Sequence, residues 1–310
     1  MRRNFFTTFL RFAFLALLVQ MLPVRCARAG QAAKANLALP KTAEKMRGLM
    51  GDGYHYLDKD ELLIVSDLDK KTLYPLVSRD FLIYKHVLAR DFYTRGNSGR
   101  SSQPILTIFL FKNRESYVAG LRKIGIDVAA EDVNNQGAVR DGYFYGGRER
   151  NFILINYRDN YEEGISTYAH ELSHALMGKE FPGPPSWINE GMATMVGNSK
   201  IVNSHLRYNA DSRSVRRMKT AVENGRMVPL SRLLQLTGQE YGQRENSLPF
   251  YDAGEQFCRF LNSRNQLLPI YRDLRDNGRN RGADAEIICR ITGLGLGALE
   301  KAWHDWLRKQ

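Results

Sequence analysis

The chain has 310 residues, 43% of them hydrophobic, with a formal net charge of +12. That length and apolar content can bury a proper core, either as one large domain or as two lobes sharing a cleft, which excludes a chain too polar to fold. The basic excess is scattered among acids and polar groups at Arg213–Arg217 and Arg272–Arg281 and lacks interleaved stacking aromatics, so these stretches read as solvated helix faces, with an anionic-polymer or membrane-surface patch as the alternative, and no nucleic-acid partner is expected.

Residues 1–29 read as an export signal. Arg2, Arg3 and Arg11 make a positive start, the run from Phe12 to Val24 is apolar, and Ala27-Arg28-Ala29 is a small-x-small cleavage site. The apolar run is short for a membrane span, so no stable span is expected after cleavage, with a retained anchor as the alternative. Val24-Arg25 before Cys26 is a poor lipobox. Cleavage removes five arginines and no acid, leaving 40 basic against 33 acidic groups, a net +7. The expected location is therefore periplasmic or secreted. Cys258 and Cys289 remain, and they suit a disulfide of an exported protein or two buried thiols equally.

Residues 30–158 have the pattern of an α/β lobe. Leu62–Val65 is a short apolar strand, Asp69–Arg90 has helical spacing, and Ile105–Phe111 is the strongest strand signal of the chain. Arg114–Leu121 follows as a helix. Gly142–Tyr145 and Phe152–Tyr157 flank Gly146-Gly147 and read as a hairpin. Residues 159–200 hold two helices. Asn160-Tyr161-Glu162-Glu163 resembles a capping box, Ile165, Ala169, Leu172 and Leu176 form an apolar stripe, and Gly178 suits the first helix's end. Pro182–Pro185 forces a turn, and Ser186 is a candidate cap for the second helix. After Ile201 the chain reads as all-helical, with helices over 212–224, 229–236, 251–262, 268–276 and 297–308, so 201–310 is expected to be a helical lobe. Strands followed by helices imply an α+β fold.

The chemistry is concentrated in two segments. His170-Glu171-Leu172-Ser173-His174 reads H-E-x-x-H, and Glu190 lies sixteen residues after its second histidine, within Trp187-Ile188-Asn189-Glu190-Gly191-Met192-Ala193. On a helix, positions i and i+4 share a face, so His170 and His174 can offer two imidazole nitrogens to one ion. Glu171 is rotated away and can reach water at the ion without ligating it. Glu190 as a third ligand leaves one position open, as catalytic rather than structural zinc requires. One Zn2+ is expected, held by His170, His174 and Glu190, with Glu171 as general base towards water that the metal acidifies. The bland alternative is a surface helix with two solvated histidines. His205, alone downstream, reads as a surface or packed residue.

These segments resemble the gluzincins, the peptidase MA-like zinc metallopeptidases, and Trp187–Ala193 is similar to the third-ligand segment of the aminopeptidase and leukotriene-hydrolase group. The resemblance implies a zincin-like fold and a peptide or protein substrate. Pro249–Gly254 resembles that group's Y-x-x-G segment, by which Tyr251 would stabilise the oxyanion, its alternative being a core aromatic at a helix start. The chain also departs from its relatives. No G-x-M-E-N strand occurs between Gly137 and Gly147, and Thr194 stands where the thermolysin-like branch has Asp. Without the carboxylate that holds a free amino terminus, an endopeptidase is expected rather than an aminopeptidase. A zinc-bearing binding or scaffold module of the cell envelope, or a zinc amidase acting on another amide, are the alternatives, the first opposed by the presence of Glu171. The oligomeric state has no signature in the sequence.

Overall fold

A computed structural model describes residues 42–93, 106–126, 142–146, 151–158, 160–208, 213–241, 247–278 and 283–310. The proposed export signal and its Ala29 cleavage site lie outside the described residues, as do parts of the loops around the 142–157 hairpin. Among the described residues no helix is long and apolar enough to cross a membrane.

Five strands form a mixed sheet: β1 (His55–Lys59), β2 (Leu62–Ser66), β3 (Leu106–Phe111), β4 (Gly142–Tyr145) and β5 (Phe152–Asn156), in the order β1-β2-β3-β5-β4. The three inner strands are parallel, and β1 and β4 run antiparallel to them at the edges. Every residue of β2, β3 and β5 is buried, which is why they read as unbroken apolar runs. Alternate side chains serve two cores. Leu63, Val65, Phe109, Phe111 and Leu154 pack under α1 (Ala43–Met50) and a helix over Arg114–Lys123, while Ile64, Ile108, Leu110, Ile153 and Ile155 face the remaining helices.

The helix expected over 69–90 is interrupted. It comprises α2 (Lys70–Pro75), a π-helical stretch over Leu76–Phe81, and α3 (Leu82–Asp91). Pro75 has no N–H to continue the ladder, and the wider turn follows it directly. The Tyr168 hydroxyl donates to the Phe81 carbonyl at 2.9 Å, and the two rings stack at 3.7 Å. With the Arg114–Lys123 helix counted as α4, the two site helices are α5 (Tyr161–Glu180) and α6 (Ser186–Gly197).

Asn160 caps α5 by accepting the Glu163 N–H at 3.3 Å, and Glu162 and Glu163 in the first turn suit the helix dipole. The expected stripe Ile165, Ala169, Leu172 and Leu176 is buried. Gly178 does not end the helix, which runs on to Glu180. There the Glu180 carboxylate accepts from the Tyr271 hydroxyl at 2.7 Å and from Arg275 at 3.4 Å, tying down the last turn before Gly183 reverses the chain at φ +72°. Ser186 is the first residue inside α6 rather than its cap. Pro185 takes that place in extended geometry, its carbonyl accepting the Asn189 N–H at 3.0 Å.

The stretch after Ile201 is not wholly helical. Ser199–Val202 (β6) and His205–Tyr208 (β7) form a two-stranded antiparallel hairpin. Asn203 and Ser204 turn it with φ of 51° and 60°, both in the left-handed region that a two-residue hairpin loop of matching twist requires. Helices α7 (Arg213–Glu223), α8 (Leu230–Gln235), α9 (Gly238–Tyr241), α10 (Ser247–Ser263), α11 (Leu267–Asn277), α12 (Ala283–Thr292) and α13 (Leu296–Arg308) follow. One apolar cluster runs from the sheet through α5 and α6 to Trp303 and Leu307. Cys258 and Cys289 are free thiols, the former wholly buried.

At the crossing of α6 and α10 the backbones touch. A Cβ on Gly191 would lie 2.6 Å from the Gly254 carbonyl oxygen and 2.7 Å from the Cys258 sulfur, and one on Gly254 would lie 3.4 Å from the Gly191 Cα. Glycine inside a helix costs about 1 kcal/mol relative to alanine, and here the close approach requires it. Gly191→Ala should therefore destabilise the protein by about 1–3 kcal/mol despite its better helix propensity. Urea unfolding should show a lower midpoint at unchanged slope.

Candidate metal centre

Helix α5 presents His170 and His174 one turn apart, and their Nε2 atoms approach to 3.1 Å. Helix α6 brings the Glu190 carboxylate to 3.7 Å from His170 Nε2 and 3.6 Å from His174 Nε2. Around a tetrahedral ion with bonds of about 2.0–2.1 Å, neighbouring donors stand about 3.4 Å apart, so the spacing fits one zinc-sized ion. These three residues are the set among the described residues whose donor atoms, all within 4.8 Å of one another, can hold a metal.

Asn189, next to the carboxylate ligand, orients the site. His174 Nδ1–H donates to the Asn189 amide oxygen at 3.0 Å, which leaves the Nε2 lone pair facing the other donors. Burial alone would favour neutral imidazole at His174. Glu190, Glu171 and the Asn189 bond override it and push the pKa up to about 9. The pocket is thus built to hold a positive charge, whether proton or metal. Within the W-I-N-E-G segment nothing local marks Asn189, and its bond to His174 reveals its part. Thr194 does not supply an orienting carboxylate, and its buried hydroxyl has no partner among the described residues.

Glu171 is 8% exposed and lies outside the donor set, yet it lines the same cleft as His170, His174 and Glu190. The opposite wall comes from strand β4, through Tyr143 and Phe144. The strand passes so near that a Cβ on Gly142 would fall 2.2 Å from Thr167 Cγ2 and 3.1 Å from Glu171 Oε1. The cleft holds about 280 Å³.

The structure gathers His170, Glu171, His174 and Glu190, but Tyr251 is not among the described residues that line this cleft. Tyr251 is half-buried near the start of α10, its ring edge-on to Tyr241 at 5.2 Å. The neighbouring Tyr241 has its pKa raised first by burial and then by the Glu190 carboxylate. Its buried hydroxyl has no hydrogen-bond partner among the described residues. Nothing in its local sequence marks it. His205 is exposed on β7 and stands outside the cleft.

Residues 121–186 match the family model of the IrrE N-terminal-like domain, peptidase M78. M78 peptidases are generally zinc-dependent, and the match takes in His170, Glu171 and His174 while stopping short of Glu190. No curated protein matches the chain. The match points to a metallopeptidase-like enzyme acting on peptide or protein, and the histidine–carboxylate set can bind the metal ion such an enzyme needs.

Replacing Asn189 by Ala should lower zinc affinity roughly 10–100-fold, since the His174 ring loses its orienting acceptor. Competition with a chromophoric chelator measures it, and Glu190→Ala should lose at least as much. A pH effect also follows in the metal-free protein. The folded pKa of His174, about 9, lies above the ordinary 6.5, so its contribution to stability is complete below pH 6.5 and lost as the pH rises through 9. In chelator the melting temperature should fall across that window, and His174→Gln should flatten the fall.

Proposed function

We propose that the chain is an exported zinc endopeptidase of the gluzincin type, with a zincin-like core around α5 and α6. The observation that carries this reading is the placement of Glu171. It faces the cleft beside two histidines and a carboxylate that converge on one point, yet contributes no donor to that point. A site needed only for structure has no use for such a base.

When bound, zinc supplies Lewis acidity, making water a stronger acid and polarising the scissile carbonyl. Glu171 takes the proton from the attacking water and passes it to the leaving amine. Asn189 holds the His174 ring in place, and the buried α5–α6 contact keeps Glu190 opposite the histidines. Strand β4 lies at the sheet edge and lines the cleft, so an extended substrate can join it as a further strand, with Tyr143 and Phe144 against its side chains. The described stretch Gly142–Gly146 has no carboxylate to hold a substrate ammonium, which favours internal cleavage; Glu149, the nearest carboxylate in the sequence beyond it and set between Arg148 and Arg150, lies outside the described residues. Export rests on the amino-terminal pattern of the sequence. Tyr251 is given no step here, since it is not among the described residues that line the cleft.

The zinc-loaded protein should cut a mixed peptide library at internal bonds, equally well with free or acetylated amino termini, as mass spectrometry of the products shows. Glu171→Gln should keep its zinc and lose roughly 10²–10⁴-fold in rate. Stepwise release of single residues, abolished by acetylation, would mark an aminopeptidase, and wild-type zinc protein that cuts nothing would mark a binding module.

A further inference from the structure

A second concavity lies at the other end of α5 and α6. It encloses about 1220 Å³, more than the several hundred Å³ a small ligand fills, so its size suits a segment of polymer. Its walls come from stretches far apart in sequence: the π-helical stretch and α3, the start of α5, the end of α6 with the β6–β7 hairpin, and α7.

Six exposed cations line it: Arg79, Lys200, Arg207, Arg213, Arg216 and Arg217. Against them stand two lining carboxylates, Asp80 and Glu162. Lys200 pairs with Glu162 at 3.0 Å, and Arg217 is held from behind by the buried Asp252 at 2.5 and 2.7 Å. No described carboxylate pairs with Arg207 or Arg213. Six cations from separate stretches of the chain are therefore gathered on one concave surface.

The same groove is also apolar. Among the described residues five large hydrophobic side chains are exposed, and three of them line it: Ile83 at 40%, Tyr161 at 40% and Val202 at 43%. Apolar exposure rimmed by one sign of charge marks a protein-binding surface. The β6–β7 ladder has two strands, so each keeps an outer edge to which an extended chain can add. A small inorganic anion would make no use of the apolar wall, and a bilayer would not enter a concavity. Tyr161 is the single aromatic among the three exposed groups, too few for stacking successive bases.

We propose that this groove is an exosite for an acidic segment of the protein substrate, extended and carrying apolar residues between its carboxylates. The proposal rests on the peptidase reading. Ser166 lines the groove, while His170 and His174 lie one and two turns further along the same face of α5. Eight helical residues span about 12 Å at 1.5 Å each. An extended chain covers that with about four residues, so the acidic segment lies at least that far from the cut bond. Gly197 joins the two ends: a Cβ there would lie 3.0 Å from the Ser166 carbonyl oxygen and 3.2 Å from His170 Cβ.

The test uses the full zinc-loaded chain carrying Glu171→Gln, so that binding is read without turnover. Fluorescence anisotropy is measured with a peptide of alternating Glu and Val, its Lys–Val counterpart, oligothymidylate, and phosphatidylglycerol vesicles. The acidic peptide should bind, less tightly as salt rises, and the basic one should not. Adding Arg207→Glu and Arg213→Glu should weaken binding about tenfold or more, whereas Arg213→Lys should retain it. Unchanged zinc content and circular dichroism report that these variants are folded. Equal binding of both peptides, or no effect of the reversals, overturns the proposal. So does tighter binding of the oligonucleotide or vesicles with the same loss, which would assign the groove to another polyanion. Wild-type protein that binds the acidic peptide but cuts nothing strikes the peptidase reading and leaves the groove's ligand class standing.

Discussion

The candidate centre depends on how closely α6 can lie against its neighbours. A single helix can present His170 and His174 together, but the third donor must arrive on another helix and stop 3.6–3.7 Å from both imidazoles. That tolerance is met by removing side chains at the crossings. Gly197 lets α6 rest on α5 at Ser166 and His170, and Gly191 meets Gly254 where α6 crosses α10. A methyl group at Gly191 would run into backbone, which cannot step aside as a side-chain tip can. The glycine after the ligand Glu190 and the glycine of the segment beginning at Tyr251 are thus two halves of one contact. Their role in the structure is packing.

Electrostatics act on top of that packing. Glu171 and Glu190 both bear on His174 in a largely buried site, where their negative charge is screened only weakly. A cation is the natural complement, and the Asn189 bond to Nδ1 fixes which ring nitrogen meets it. Glu171 gains from the same surroundings. It is close enough to influence His174, yet it stays out of the donor set.

Helix α5 works as a spine with a concavity towards each end. Edge strand β4 runs past its middle, beside Glu171, and the β6–β7 hairpin stands near its beginning. Strand edges invite a further strand, and proteins usually blunt them. Here one edge strand walls the cleft and the hairpin borders a basic, partly apolar groove, an arrangement suited to a long chain held at two places.

Much of this was legible in the amino-acid sequence. The i, i+4 histidine pair and the stripe of Ile165, Ala169, Leu172 and Leu176 follow from the 3.6-residue period, which acts within a few residues and leaves a pattern in the text of the chain. The buried strands at 62–66 and 106–111 were visible as continuous apolar runs, and the 142–157 hairpin as two runs around glycines. Strand β1, with its mixed His55-Tyr56-Leu57-Asp58-Lys59, and the polar β6–β7 hairpin left no such run, since pairing rather than hydrophobicity holds them. The extension of α5 past Gly178 depends on Tyr271 and Arg275, about ninety residues away in the chain. Only the tertiary structure could place Asn189 on His174 and collect Arg79, Lys200, Arg207 and the arginines of α7 in one groove. The sequence by itself determined which residues can hold a metal, because that capacity is set by side-chain chemistry and a single helical turn. Which groups surround those residues was decided by contacts between distant segments, whose geometry no local period encodes.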